Sequence, residues 1–451
     1  MMDCEAYFED MRRLRKSGSP KGIASACCAN GLVIEAVMRL AKERGRTLLV
    51  EATANQVNQD GGYTGMRPLD FRRFVEGLAD GCGFPRGRLM LGGDHLGPLA
   101  WRALSEAEAM GRAVALVEEY VRAGFDKIHL DTSMRLGGDD PGASLPDALI
   151  AERGARLCEA AESAHAACAR DGTRAFAPVY VIGSEVPTPG GPQHGEAGEG
   201  GETGEGGEAG APEATSPAAC RASIEAYREA FGRRGLSGAW RRVVAFVVQP
   251  GVEFAGDVFY PYSPEKAKAL CAVLDGEDGL VFEGHSTDYQ PAGALRRMAE
   301  DGIAILKVGP ALTFALREAL MSLERIERAL LRGSTAPLSD FSACLEHAML
   351  SDESQWAGHY RGSGVEKRLA RMYSFFDRAR YYLGRPEVER AIERLLANLG
   401  ARAPLPLPLL SQFMPMQFAK VCESGLEAAP RALLADCVQS RYDGYLSATA
   451  G

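Results

Sequence analysis

The sequence predicts an α/β chain folded as a (β/α)8 TIM barrel with a C-terminal helical extension. Three observations carry that prediction. Short apolar runs alternate eight times with helical periods between Ile23 and Leu331. The runs are continuously apolar, as expected of parallel strands covered by helices on one side and packed in a core on the other. The glycine fingerprint G-x-G-x-x-G, which an open doubly wound sheet would carry after its first strand, is replaced by CCANG at Cys27–Gly31.

In chain order, Ile23–Ala26 leads to a helix around Leu32–Glu43. Thr47–Ala52 leads through a long polar loop to Pro68–Leu78, and Arg88–Leu91 through GGDHLGP to Ser105–Ala123. Lys127–Asp131 precedes Leu145–Ala169, and Val179–Gly183 precedes Ala218–Arg233. Val243–Gln249 precedes Ser263–Leu274, Leu280–Glu283 precedes Pro291–Glu300, and Ile303–Val308 precedes Leu312–Leu331. These eight units place the barrel in residues 1–335. Residues 336–451 form the extension, with helical periods at Ser339–Leu350, Glu366–Leu383 and Pro386–Leu399 and a Pro-rich link at Ala401–Leu410. Its run Arg368–Leu383 is rich in aromatics and Arg, which suits either packing on the barrel or a subunit interface. Residues 187–217, after the fifth strand, are a Gly/Glu tract with too few apolar groups to offset the entropy of ordering. They read as a mobile insertion, with an active-site lid as the alternative.

Composition narrows the function. A net charge of −9 argues against a nucleic-acid footprint and against an anionic lipid surface. No run approaches the roughly 18 apolar residues of a membrane span. The charged start MMDCEAYFEDMRRLRKSG lacks the apolar stretch of a secretion signal, so a cytoplasmic protein is expected. The 11 cysteines show no C-x-x-C spacing, which suits reduced thiols rather than a disulfide framework or a zinc ribbon. There is also no G-x-x-x-x-G-K-[ST] loop to cradle nucleotide phosphates.

Barrels work at the C-terminal ends of their strands, so those positions supply the candidate residues. After strand two come Glu51 and the amides Asn55, Gln56 and Asn58, suited to hydroxyl-rich ligands or, more simply, to a loop of Asx turns. After strand three two glycines precede Asp94 and His95. Strand four ends on Asp131, alternating with His129, of which one could face inward only as packing. Glu185, Gln249 and the group Glu283, His285, Ser286, Asp288 follow strands five to seven, and Lys307 and Gly309 close strand eight. The strand seven–eight quarter is where barrels commonly hold phosphate on loop amides and a helix N-terminus. Two of the seven histidines, His95 and His285, thus share a face with Asp94, Asp131, Glu185 and Glu283. That donor set suits a divalent metal of Zn, Mn, Ni or Co type, with His95, Glu185, Glu283 and His285 as ligands and Asp94 and Glu185 as proton-moving groups. Such a site favours retro-aldol cleavage or epimerisation of a ketose.

The strand-end motifs NQVNQDGGYTGMRPLDF (Asn55–Phe71), LGGDHLGP (Leu91–Pro98), AGFDKIHLD (Ala123–Asp131), VIGSEVPTPGG (Val181–Gly191), VVQPGVEF (Val247–Phe254), EGHSTDYQ (Glu283–Gln290) and ILKVGPALTFALREA (Ile305–Ala319) resemble the GatZ/KbaZ family of tagatose-bisphosphate aldolase subunits. The resemblance spans essentially the whole chain, apart from residues at about 193–216. It implies an accessory subunit that a catalytic class II aldolase subunit of the GatY/KbaY kind needs for activity and stability, in sugar catabolism. The alternative it implies is a metal-dependent ketose or ketose-phosphate 4-epimerase of the fructose/tagatose type. The implied partners are that catalytic subunit and a sugar phosphate, and self-association into a homo-oligomer is compatible with both readings. The catalytic class II aldolases resemble the chain more distantly, at Asp94-His95 and Glu185. They carry histidines where this chain has Gln249, and His-Gly-Gly where it has Glu283-Gly284-His285, so the implied aldolase metal set is incomplete here.

Overall fold

The computed structural model describes residues 3–17, 21–140, 144–174, 176–183 and 212–450. In chain order the elements are α1 (Cys4–Lys16), β1 (Ile23–Cys27), α2 (Gly31–Glu43), β2 (Leu48–Thr53), α3 (Pro68–Cys82), β3 (Leu89–Leu96), α4 (Glu106–Ala123), β4 (Lys127–Leu130), α5 (Asp147–Arg170) and β5 (Val179–Ile182). They continue with α6 (Pro217–Arg233), α7 (Ser237–Trp240), β6 (Val243–Val248), a small hairpin β7 (Glu253–Phe254) and β8 (Phe259–Tyr260), α8 (Pro264–Cys271), β9 (Val281–Gly284), α9 (Ala292–Glu300), β10 (Ile303–Val308) and α10 (Pro310–Leu330). The C-terminal helices are α11 (Phe341–Ser351), α12 (Gly364–Tyr373), α13 (Pro386–Gly400), α14 (Leu407–Phe413), α15 (Pro415–Ser424) and α16 (Pro430–Ala448).

Eight strands close a parallel barrel in the order β1-β10-β9-β6-β5-β4-β3-β2. Side chains alternate along each strand, so one set faces the helices and the other fills the barrel. The bottom of the interior is apolar: Ile23, Leu49, Met90, Val179, Val281 and Ile305 pack together. Helix α1, which the strand count did not anticipate, closes that end with Cys4, Phe8 and Met11. Their spacing places all three on one helix face.

One strand differs from expectation in a way that shapes the site. Strand β3 runs on through Gly92, Gly93, Asp94 and His95, which the sequence reading treats as a loop. Its pairing with β4 slips between Gly93 and Leu96, and His95 adopts φ 46°, in the left-handed region. A bulge of this kind bends a strand and re-aims its side chains. The two glycines have structural rather than ligand-facing reasons: a Cβ on Gly92 would lie 2.3 Å from Glu51 Oε1, and one on Gly93 would lie 2.7 Å from the Tyr120 ring.

The C-terminal helices return to the barrel. Helix α16 packs against α2, α9, α10 and β1. From it, Tyr442 donates to Ala24 O at 3.1 Å and Tyr445 to Thr287 O at 2.5 Å. The aromatic run Arg368–Leu383 mostly packs on the barrel: Phe375 lies against Tyr289 and Phe314, and Tyr381 against Tyr63. Among the described residues no helix is long and apolar enough to cross a membrane.

Candidate functional site

Above the apolar floor lies a layer of charge. Lys127 and Glu283 extend from β4 and β9, and Glu51 from β2; all three side chains are fully buried. The Lys127 ammonium sits 2.8 Å from Glu51 Oε1 and 2.8 Å from Glu283 Oε2. Ser25 donates to Glu51 Oε2 at 2.5 Å. Lys307, from β10, contacts Asp94 and lies 3.3 Å from Glu51 and 3.7 Å from Glu283. Charges this deep persist only when paired and hydrogen-bonded. Burial alone would raise the Glu283 carboxyl, but Lys127 and Lys307 hold it well below the usual carboxylate range.

The next layer up carries three imidazoles. His95, His129 and His285 have ring centroids 4.8 to 5.4 Å apart. Each can offer a ring nitrogen, and Asp94 an oxygen, with all four atoms within 4.8 Å of one another. Two of the rings are backed by carboxylates: His95 Nδ1 meets Asp131 Oδ2 at 2.7 Å, and His285 Nε2 meets Glu283 Oε1 at 3.0 Å. His129 Nε2 donates to Gly183 O at 2.9 Å, while its Nδ1 faces Asp94 Oδ1 at 2.9 Å and accepts from the His95 peptide N–H at 3.2 Å.

Electrostatics at His95 favour a cation. Burial alone would lower the His95 pKa, but Asp94 and Asp131 outweigh it and raise it. Burial would likewise raise Asp94, yet His95, Lys307, His129 and His285 hold it well below its ordinary range, in its carboxylate form. Burial and the nearby Lys307 lower His285 to about 3, so that ring is neutral and keeps a lone pair. His95 Nε2 is buried with no hydrogen-bond partner. A field that pulls a proton onto such a nitrogen also favours a metal ion there, and carboxylate-backed imidazoles are the usual support for metal ligands. The residues present therefore fit a divalent ion held by His95 and His285 with Asp94 beside it, and by His129 once its Nδ1 gives up the hydrogen bond from the His95 peptide N–H.

A cavity of about 100 Å3 opens above this cluster, lined in part by Asp94, His95, His285 and Lys307. Asn55, Gln56, Ser286, Asp288 and Gly309 line it as well. Several sequence-level candidates do other work. Asn58 organises its own loop, accepting from Asp60 N and Gly62 N and donating to Ala54 O. Gln249 Oε1 accepts from Gly251 N and Val252 N, and the Gln56 side-chain carbonyl takes Thr53 N. Asp131 positions His95 and holds Ser133 rather than facing the cavity. Glu283 lies with Lys127 and His285 behind the imidazoles, and its carboxylate also groups with those of Glu51 and Asp94, close enough together to hold an ion. The helix N-terminus expected to take phosphate is already capped, because Asp288 Oδ1 accepts from Gly309 N at 3.0 Å and Ala311 N at 2.7 Å. Burial raises that carboxyl to about 6. Glu185 and most of the Gly/Glu tract, residues 187–211, lie outside the described residues.

Strand-end reading names Glu51 and His129 without giving either a role, and passes over Lys127. Glu51 and His129 sit two and one positions below the ends of β2 and β4, while Lys127 opens β4, and the two-residue alternation from Asp131 through His129 to Lys127 is the signal that finds it. Tyr63, Arg380 and Tyr381 also line the cavity, the last two from the C-terminal helical region.

The fold and cavity define the class, a closed (β/α)8 barrel with a polar, imidazole- and carboxylate-lined cavity at its C-terminal strand ends, the end at which barrels carry their sites. Within that class the chain belongs to the D-tagatose-1,6-bisphosphate aldolase subunit GatZ/KbaZ-like family, whose model matches residues 8–450. It is similar to the solved structure of a probable tagatose 6 phosphate kinase from Sinorhizobium meliloti 1021, with 42% identity and a TM-score of 0.83 over 95% of this chain and 100% of that one. Lower similarity extends to a fructose-bisphosphate aldolase from Campylobacter jejuni (14% identity, TM-score 0.41, 89% of this chain and 94% of that one). It extends also to the fructuronate-tagaturonate epimerase UxaE from Cohnella laeviribosi (12% identity, TM-score 0.43, 96% of this chain and 82% of that one).

Proposed function

We propose that the chain is a metal-dependent enzyme acting on a ketose phosphate, a 4-epimerase of the fructose/tagatose type that works by retro-aldol and aldol steps. The observation that carries this reading is the buried cluster of three imidazoles and Asp94 facing a cavity, with Asp131 and Glu283 behind two of the rings. A structural subunit has no physical need for such a group, since buried ionisable residues cost stability unless they are used.

A divalent ion on His95, His129 and His285 would act as a Lewis acid toward the ketose carbonyl. Asp94 is kept in its proton-accepting form by Lys307 and the histidines. It takes the proton of the C4 hydroxyl as the C3–C4 bond breaks, leaving an aldehyde and an enediolate. Turning the aldehyde about its carbonyl carbon and returning the proton re-forms the bond with C4 inverted. No co-reactant is consumed. The charged layer of Glu51, Lys127, Glu283 and Lys307 fixes Asp94 and His285 from below. A kinase activity finds no support in the sequence, which has no G-x-x-x-x-G-K-[ST] loop.

A second reading has its own observation. On α12, Val365, Leu369 and Tyr373 recur at helical spacing and are 70%, 54% and 57% exposed. A stripe of that kind suits docking of another subunit, as an accessory role beside a catalytic class II aldolase would require. Metal-loaded chain incubated with fructose 6-phosphate and tagatose 6-phosphate separates the two. Interconversion by the chain alone supports the epimerase. No conversion alone, together with higher activity of an added catalytic subunit, replaces it with the accessory role.

A further inference from the structure

We propose that Arg380, supplied by the C-terminal helical region, holds the anionic group of the ketose, so that the barrel's site is complete only with that region in place. The proposal rests on the reading of the site as one for a ketose phosphate and specifies which residue meets its charge.

The cavity is short of free positive charge. Apart from histidines, its described lining contains two cations, Lys307 and Arg380. Lys307 is already shared among Asp94, Glu51 and Glu283. The expected anion site at the start of α10 is filled by Asp288. Arg380 is different: among the described residues no carboxylate lies within ion-pair distance of it. It donates to the Phe376 and Asp377 carbonyls and, at 3.0 Å, to the Tyr381 hydroxyl. A half-buried guanidinium hydrogen-bonded only to neutral acceptors is a site for a phosphate or carboxylate, whose two oxygens match its planar fork.

Its position is built rather than accidental. Asp377, three residues earlier, accepts from Arg317 Nε at 2.7 Å and from Thr313 Oγ1 at 2.6 Å, both on α10. Phe375 N donates to Gly256 O at 2.8 Å, and Tyr289 donates to Phe375 O at 2.7 Å. The turn is thus pinned to the barrel on both sides. Arg380, Tyr381 and Tyr63 also line a wider outer groove of about 770 Å3 that shares this wall with the inner cavity. The anionic end of the ligand therefore sits at the junction, with the reacting carbons directed inward toward Asp94 and His95. A phosphate ester and a sugar carboxylate present the same chemistry to Arg380, so both are tested.

The experiment measures binding of fructose 6-phosphate, fructuronate and fructose to the metal-loaded full chain by calorimetry. R380Q keeps N–H donors for the local carbonyls while removing the charge, and R380K keeps the charge without the fork. The expected result is that one anionic ketose binds at least about tenfold more weakly to R380Q, with fructose unchanged and R380K intermediate. The anion that shows this dependence identifies the natural group as phosphate or carboxylate. Equal affinity of R380Q and the native chain for both anions overturns the role of Arg380 while leaving the ketose site intact. Failure of all three sugars to bind the native chain overturns the ketose reading itself, and the proposal with it. Should R380Q unfold, loss of anionic-ketose binding in R380K alone, with fructose binding kept, supports the assignment. Full retention by R380K overturns the fork geometry on which it stands.

Discussion

Replacing Lys127 with methionine probes the charged floor of the site. The ammonium lies 2.8 Å from carboxylate oxygens of both Glu51 and Glu283, and all three side chains are fully buried. At an effective dielectric of about 20, each contact at that distance is worth roughly 6 kcal/mol of Coulomb attraction, set against the cost of desolvating the charges. Lys127→Met removes the cation but leaves both acids in place, with Lys307 as their remaining partner. Breaking a buried pair in this way typically costs about 3–5 kcal/mol, and that is the loss expected here. The assay is urea unfolding at neutral pH, followed by far-UV circular dichroism and by fluorescence of the three tryptophans. Coincident transitions from the two probes license a single free energy. Adding Glu283→Gln to Lys127→Met removes one stranded charge and is expected to recover part of the loss. A loss below about 1 kcal/mol in the single variant, or no recovery in the double, refutes the view that Lys127 neutralises this layer.

Two further substitutions follow. Gly92→Ala places a Cβ 2.3 Å from Glu51 Oε1 and is expected to cost about 1–3 kcal/mol. Gly111→Ala, on an open face of α4, is expected to stabilise by about 0.5–1 kcal/mol; equal effects of the two in urea unfolding would contradict the close packing at Gly92. Asp288 tests a pH dependence. Its folded pKa of about 6 exceeds its ordinary value of 3.8, so the folded state favours the protonated form. Its contribution to stability is then full below 3.8 and declines as pH rises through 6. Asp288→Asn should therefore gain stability relative to the native chain as pH rises across that window, and a difference that stays flat with pH would show that burial does not raise this carboxyl.

Much of the barrel was legible because its strands are continuous apolar runs separated by turn residues. Val243–Val248 and Ile303–Val308 leave little choice of period. The extension of β3 through Asp94 and His95 was not legible: a bulge and a left-handed His95 are backbone events set by the neighbouring strand. Helix α1 carries its signal in Cys4, Phe8 and Met11, but a face of three apolar residues does not announce that it plugs a barrel. At the site, Asp94, His95 and His285 were found by position at strand ends. His129 was harder, since a histidine within a strand is as often packing as function, and only the closed barrel brings its ring beside the other two. The amides Asn58 and Gln249 look like ligand groups in sequence, yet the loops they sit in need their hydrogen bonds. Arg380 was beyond reach, because nothing local to it says which part of the barrel its turn will meet.

Metal content tests the central claim most directly. The native chain is stripped with chelator, reloaded separately with Zn, Mn, Ni or Co, dialysed, and measured by elemental analysis beside His129→Gln, whose folding is checked by circular dichroism. His129 is the informative position, because it joins the cluster on geometry while lying within a strand. The account predicts one tightly held ion per native chain and its loss in folded His129→Gln. A native chain that retains none of these ions, or a variant that retains its ion in full, contradicts it.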